Sequence, residues 1–294
     1  MTESATVIAA VLADGIITSP ANPRVRAAAR LRDAGQRRET GLTLVDGLRE
    51  LDRCLQAGIE LVEVFVAAER VSSPTPSLLA VLTDLVARDV PLLPVAERPF
   101  ARVAFGGRNE GVVAVARFRG GMLATFQSDP DQSVFILEGV EKPGNLGAIL
   151  RSADATGCGG VIVCGAGTDA ANPAVIRASL GTVFGLPLAT ASTAAAIEWC
   201  AAQHRRVIAA TPTGSCRWHD ADLGREAAIL LGSEAHGIST DWFDAAAAGS
   251  LSLTTVALPM LGVADSLNVS ATAAVLAYES LRQRKKLIQH EEES

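Results

Sequence analysis

An α/β fold built from two successive domains is what this sequence predicts, and three observations predict it. Apolar runs of strand length alternate with helix-length segments along almost the whole chain. In the second half those runs are continuously apolar, as strands covered on both faces of a parallel sheet must be. Between the halves, residues 120–132 (GGMLATFQSDPDQ) shift to Gly, Ser, Asp and Pro, the composition of a linker. With 294 residues, 49% of them apolar and 20% charged, the chain can bury two cores. Only 4% is aromatic, so Ala, Val, Leu and Ile must fill them.

The elements follow in order. Residues 1–16 read as an N-terminal extension and 17–118 as the first domain. Pro23–Arg32 has a helix pattern, and LTLVDG (42–47) is a short apolar run. LRELDRCLQAG is a second helix that stops at Gly58, a residue suited to the position after a helix end. LVEVFVA (61–67) alternates as a strand does, SSPTPS (72–77) is a loop, and Leu78–Arg88 is a helix. PLLPV, a short helix and GVVAVARF (111–118) complete the domain, and 119–132 is the linker. The second domain spans 133–287. SVFILEGV (133–140) is a buried strand, followed by a helix (Leu146–Thr156), the strand GGVIVCG and a helix opened by Pro173. LPLAT, a helix (Thr193–Gln203), RRVIAATP and AAILLG continue a doubly wound pattern. A helix after Ile238, a short LSLT and a long helix from Asn268 to Lys286 close it, leaving 288–294 as a frayed tail.

Composition excludes several functions. The five cysteines (54, 158, 164, 200, 216) form no C-x-x-C pair and there are only four histidines, so neither a zinc site nor a disulfide framework is expected. No apolar run reaches the roughly 18–20 uncharged residues of a membrane span. The N-terminus lacks a basic segment and carries Glu3 and Asp14, which does not read as a secretory signal, so a cytoplasmic protein is expected. Net charge is −6, yet residues 20–38 hold Arg24, Arg26, Arg30, Arg32, Arg37 and Arg38 against Asp33 alone, a local net of +5. Arginines without lysines suit bidentate phosphate contact, and a solvated helix face is the plainer alternative. A second basic group, Arg282, Arg284, Lys285 and Lys286, ends the last helix.

Three segments carry the chemistry, and each follows a strand, where open α/β sheets bind ligands. In EGVEKPGNLGAILRSADATG (138–157), Pro143-Gly144-Asn145 forms a turn, Asn145 suits a helix N-cap, and Arg151 lies six residues on. In ILLGSEAHGIS (229–239) a strand stops at Gly232, Ser233 and Glu234. In LSLTTVALPMLGVADSLNVS (251–270), Pro259 and Gly262 bracket a loop, and Ser266 and Asn268 sit at the mouth of an Ala-rich helix. Singly, each is also what a capped helix or a simple turn looks like. A dinucleotide-binding reading of VIVCGAGTDA (161–170) is weak: Pro173 interrupts the helix it needs, and no acid ends LPLAT.

Together, NLGAILR (145–151), LGSEAHG (231–237) and LPM with DSLNVS (258–260, 265–270) resemble the SpoU (TrmH) family of RNA ribose 2′-O-methyltransferases of the SPOUT superfamily. The resemblance is strong over 133–285 and weaker over 17–117, which looks like the family's L30e-like RNA-binding domain. Ser233 stands where Asn is common, and Thr43 and Asp46 where Phe and Glu are usual. The resemblance implies a trefoil knot in the C-terminal domain. It implies S-adenosylmethionine held by backbone groups at Gly232, Leu258 and Leu267, a site at a homodimer interface, and no metal. It implies that Arg151 assists activation of the 2′-hydroxyl, and that Asn145, Glu234, Ser266 and Asn268 position the acceptor or maintain the loops. Arg24, Arg26 and Arg30 would grip structured RNA. Large-subunit rRNA is the favoured substrate, with tRNA, or a non-catalytic RNA-binding relative, as the alternatives.

Overall fold

A computed structural model of the chain describes residues 3–13, 15–105, 110–118 and 120–292, with the backbone alone at residue 3 and over 286–292. Residues 1–119 with 169–185 form one compact unit, and residues 120–168 with 186–294 form a second.

In the first unit, strands β1 (Leu42–Asp46), β2 (Leu61–Ala67), β3 (Leu92–Val95) and β4 (Val112–Arg117) make a sheet in the order β1-β4-β2-β3. Only β2 and β3 run parallel. Helices α1 (Glu3–Leu12), α2 (Pro23–Arg30), α3 (Ala34–Thr40), α4 (Leu48–Gln56), α5 (Ala68–Val71), α6 (Pro76–Ala87) and α7 (Glu97–Val103) surround it. Alternate strand residues Leu44, Phe65, Val113 and Val115 bury against Val25, Ala28 and Phe100 of α2 and α7.

Two segments do not keep to the expected boundaries. The 1–16 segment is no appendage: Val7 and Val11 of α1 are buried, and α1 packs on α6 and β3. Residues 169–185, read as part of the second domain, pack in the first unit through α9 (Pro173–Ala178). Charge explains the second difference. The buried Arg37 guanidinium grips Asp169 with Nη2 at 2.6 Å and Nε at 3.2 Å, and Arg177 lies 3.4 Å from Asp46. Burial pushes the Asp46 carboxyl up to about 6, against the opposing pull of the Phe105 N–H and Arg177.

In the second unit, β5 (Val134–Glu138), β6 (Gly160–Cys164), β7 (Leu188–Ala191), β8 (Arg206–Ala210), β9 (Cys216–Arg217), β10 (Ala227–Leu231) and β11 (Leu253–Ala257) form a sheet in the order β7-β6-β5-β10-β8-β11-β9. Every pairing in it is parallel. On one face Val134, Ile136, Ile162 and Leu230 bury against Ala196 and Cys200 of α10 (Thr193–Ala202) and Trp242 of α11 (Thr240–Ala247). Strand periodicity puts the equally buried Phe135, Leu137 and Ile229 on the other face. Helices α8 (Pro143–Ala155) and α12 (Val269–Glu292) pack on each other and touch β6 and β10. Helix α12 runs through most of the segment expected to fray, and residues 293–294 lie outside the described residues.

The 120–132 segment is pinned rather than loose. Met122 bridges to Thr190, and a Cβ on Gly121 would overlap the Leu188 carbonyl. Arg205 donates to Gln132 O, Ser128 Oγ and Asp129 O. Burial pushes the thiols of Cys54, Cys164 and Cys200 up to about 12 and that of Cys158 to about 11, so none of these is a thiolate nucleophile at neutral pH. Among the described residues no helix is long and apolar enough to cross a membrane, and no cluster of His, Cys, Asp and Glu could hold a metal ion.

Candidate active site

The first chemical segment starts earlier than its sequence suggests. Helix α8 begins at Pro143, with Lys142 at the N-cap, so Asn145 sits in the first turn instead of capping it. Proline explains the shift: its fixed φ suits the first helical position, and its missing N–H would have had no partner there. The Asn145 side chain is thereby released for other work. Its Nδ2 donates to Glu234 Oε1, and its Oδ1 accepts from Asn268 Nδ2 at 3.2 Å.

Glu234 stands at the tip of a tight loop after β10. Ser233 and Gly237 exchange backbone hydrogen bonds of 3.1 and 3.0 Å, and Gly237 has φ +70°. The Ser233 hydroxyl accepts the His236 N–H at 2.9 Å, so serine at this place closes the loop by itself. Gly232 is packed so closely that a Cβ would overlap the Gly237 carbonyl group. The loop leads to Ser239, whose hydroxyl does not cap α11 but donates to the buried Glu138 at 2.8 Å. Glu138 also accepts from Ser239 N and from Thr193 Oγ1, both at 2.8 Å, and so fastens this loop to the end of β5.

Asn268 caps α12: its Oδ1 accepts Ser270 N at 2.9 Å and Ser270 Oγ at 2.6 Å. The three segments, far apart in sequence, therefore meet in one chain of side chains, Glu234–Asn145–Asn268–Ser270. Beside it lies a cavity of about 290 Å³ at the C-terminal ends of β8, β10 and β11. Gly232, Glu234, Leu258, Ser266 and Leu267, all expected at the site, line it.

Arg151 is not drawn into this chain. It is exposed on α8, about 9 Å further along the axis than Asn145 on a rise of ~1.5 Å per residue, and its side chain has no hydrogen bond or ion pair among the described residues. Sequence reasoning missed Glu138 and the cavity walls Thr211, Pro212 and Thr272, and assigned no role to Met260 and Asp265, which lie within the motifs it singled out. Thr211 and Pro212 could have been found, because they directly follow the end of β8. Glu138 gives no such signal, since a carboxylate at a strand end looks the same whether it is solvated or bonded.

The basic groups also resolve differently. Arg37 is buried against Asp169, Arg24 bonds Glu63 at 2.7 Å, and Arg32 donates to Ala104 O. Arg26, Arg30 and Arg38 stay exposed without an ion pair among the described residues. On α12, Arg282 pairs with Glu279 at 2.5 Å, and Arg284 donates to Thr156 O and Gly157 O at the end of α8. Lys285 is exposed, and the Lys286 side chain lies outside the described residues.

Residues 132–278 match the family model for the SpoU rRNA Methylase family, and residues 22–114 match the MRM3-like substrate binding domain. A 23S rRNA (uridine(2479)-2′-O)-methyltransferase of Streptomyces viridochromogenes is 30% identical over 87% of this chain and 88% of its own. A crystal structure of an RNA 2′-O ribose methyltransferase superposes with a TM-score of 0.77 at 38% identity, covering 91% of this chain and 98% of that one. The SpoU methyltransferase AviRb from Streptomyces viridochromogenes, in complex with the cofactor AdoMet, superposes with a TM-score of 0.78 at 26% identity, covering 90% and 98%. A family model spanning half the chain and a relative aligned along most of it establish that this chain belongs to the SpoU rRNA methylase family.

Proposed function

We propose that this protein transfers the methyl group of S-adenosylmethionine to a ribose 2′-hydroxyl of structured RNA, with large-subunit rRNA as the substrate. The observation that carries this reading is the junction of the three family segments through Asn145 beside a cavity at the strand ends. The relatives named above as rRNA and RNA 2′-O-methyltransferases support it.

The cavity suits such a cofactor. Leu231, Leu258, Met260 and Leu267 offer apolar walls to an adenine ring, and Asp265 and Glu234 offer carboxylates to cationic groups. Backbone groups at Gly232, Leu258 and Leu267 would hold the cofactor, which supplies an already activated methyl group. The chain's own task is then alignment and removal of the hydroxyl proton. Arg151 offers a guanidinium, which has donors and no acceptor, and so cannot act as an ordinary base; it would orient a substrate phosphate and ease the hydroxyl proton away. Asn145, Glu234, Ser266 and Asn268 would position the acceptor and keep the loops in register. We also read the insertion of β10 between β5 and β8 as the framework of the family's trefoil knot. Mapping 2′-O-methyl positions in total RNA with and without the gene tests the function: a site lost from large-subunit rRNA is expected. A site lost from tRNA would move the substrate, and no lost site would reject the reading.

A homodimer completes this reading. Leu261 and Val263 are fully exposed, and Leu267, 41% exposed, belongs to the cavity wall, so the lip of the site is apolar and uncovered. Light scattering at micromolar concentration is expected to give twice the chain mass, and a monomer that methylates RNA would overturn the dimer.

The arginine patch of the first unit is proposed to grip RNA phosphates. Glu63 already neutralises part of Arg24, so Arg26 and Arg30, one turn apart on α2, should contribute more. Each phosphate contact on single-stranded RNA adds about −0.7 to the log–log salt slope. Arg26→Ala with Arg30→Ala should weaken RNA binding and flatten that slope by about 1.4. Arg24→Ala should change it less. S-adenosylhomocysteine affinity should not move, because only residues of the second unit line the cavity. An RNA affinity and slope equal to wild type would reduce these arginines to a solvated face.

A further inference from the structure

A second hollow, of about 350 Å³, lies at the β9 edge of the second unit's sheet, lined by Gly214–His219 with Ala257 and Pro259. Its frame is fixed by the backbone. Thr211 N donates to Val256 O at 2.9 Å, Ser215 N to Thr255 Oγ1 at 3.0 Å and Trp218 N to Ala257 O at 3.2 Å. A Cβ on Gly214 would overlap the Val256 carbonyl carbon, so only glycine lets this turn sit on β11. The hollow adjoins the cofactor cavity through one stretch of chain. Leu258 and Met260 line the first cavity while Ala257 and Pro259 line the second, the alternation of an extended segment with a different surface on each side.

Its chemistry differs from that of the first cavity. The chain has three tryptophans, and two of them are structural: Trp242 is fully buried, and Trp199 packs edge-on to Phe126 and under Arg205. Trp218 is half-buried, and its one aromatic contact among the described residues is an edge-type contact with His219, with ring centroids 5.4 Å apart at 83°. Its indole N–H makes no hydrogen bond among the described residues. The neighbouring Arg217 is exposed and likewise has no hydrogen bond or ion pair from its guanidinium among the described residues. A flat ring lining a hollow beside an uncommitted guanidinium is how proteins hold an unpaired nucleotide, by stacking on its base and pairing with its phosphate.

We propose that this hollow is a subsite for one unpaired nucleobase of the RNA substrate, stacked on Trp218 with Arg217 on the adjoining phosphate. The proposal rests on the RNA methyltransferase reading. One extended segment divides the two hollows, so the base held here belongs to a nucleotide flanking the methylated one on the same strand.

The test uses the full chain, S-adenosylhomocysteine, and a single-stranded RNA decanucleotide of mixed sequence. Trp218→Ala should weaken decanucleotide binding on the order of tenfold, and Trp218→Phe, which keeps a ring, by no more than about threefold. The decanucleotide should quench tryptophan fluorescence of the wild type and much less that of Trp218→Phe. With total RNA from cells lacking the gene, Trp218→Ala should raise KM and leave kcat near wild type. S-adenosylhomocysteine affinity should stay unchanged in both variants, which also shows that they fold. Unchanged RNA binding and KM in Trp218→Ala would overturn the subsite. A parallel loss of S-adenosylhomocysteine affinity in the folded Trp218→Phe variant would assign the hollow to the cofactor's adenine and overturn it as well. If the wild type methylates no RNA yet its decanucleotide binding depends on Trp218, the methyltransferase reading fails and the base-binding hollow stands.

Discussion

Arg151→Ala is expected to slow methyl transfer on the order of 10²- to 10⁴-fold, the range lost when a positioned group that assists proton transfer is removed. S-adenosylhomocysteine affinity should change no more than a few-fold, because Arg151 is not among the residues lining the cavity. The reason to expect so large an effect is what the side chain does not do. Exposed on α8 and unbonded among the described residues, it stabilises nothing visible in the fold, so its removal should leave the thermal midpoint near wild type. Arg151→Lys keeps the charge but loses the planar fork, and an intermediate rate would identify bidentate phosphate contact as its role. Single-turnover rates on RNA, with calorimetry of S-adenosylhomocysteine, separate these outcomes. Near-normal turnover in the alanine variant would remove Arg151 from the mechanism.

Much of this architecture is legible in the sequence because the strands carry their own signal. Runs such as VFIL, GVIVC and AAILL are apolar at every position, and all are buried at every position in a wholly parallel sheet. Less legible is whatever depends on partners distant in the chain. Nothing local shows that Arg37 turns inward to Asp169, or that Arg24 is met by Glu63, so a local net of +5 overstates the charge presented to solvent. The 120–132 segment has the composition of a linker, but Gly121 is there because the backbone of β7 comes too close for a side chain, and Arg205 fastens the rest. Asn145 shows the same limit within the site. Its local preference is to cap a helix, and it is the presence of Glu234 and Asn268 that gives its amide another task. Strand β9, two residues long, is set only by its pairing with β11 and has no pattern of its own to read.

Gly232→Ala should abolish detectable S-adenosylhomocysteine binding, while Gly237→Ala, five residues on in the same loop, should weaken it only a few-fold. The two glycines are constrained for different reasons. Gly237 has φ +70° but open space around its missing side chain, so alanine meets only the cost of a left-handed backbone, about 1–2 kcal/mol. Gly232 does not have a positive φ; its constraint is contact, because an added methyl would overlap the carbonyl carbon and oxygen of Gly237 and crowd the Ile238 nitrogen. Those atoms are backbone, held by the reciprocal Ser233–Gly237 hydrogen bonds, and they cannot yield as the end of a flexible side chain could. The methyl would force the loop open, separating Gly232 and Glu234 from Leu258 and Leu267 across the cavity. Because the loop lies beyond the end of β10, the core should survive, with a fall in thermal midpoint of a few degrees for a loss of about 1 kcal/mol. Calorimetric titration of both variants beside their melting curves tests this. A Gly232→Ala protein that binds S-adenosylhomocysteine like wild type would show that the cofactor does not lie in this cavity.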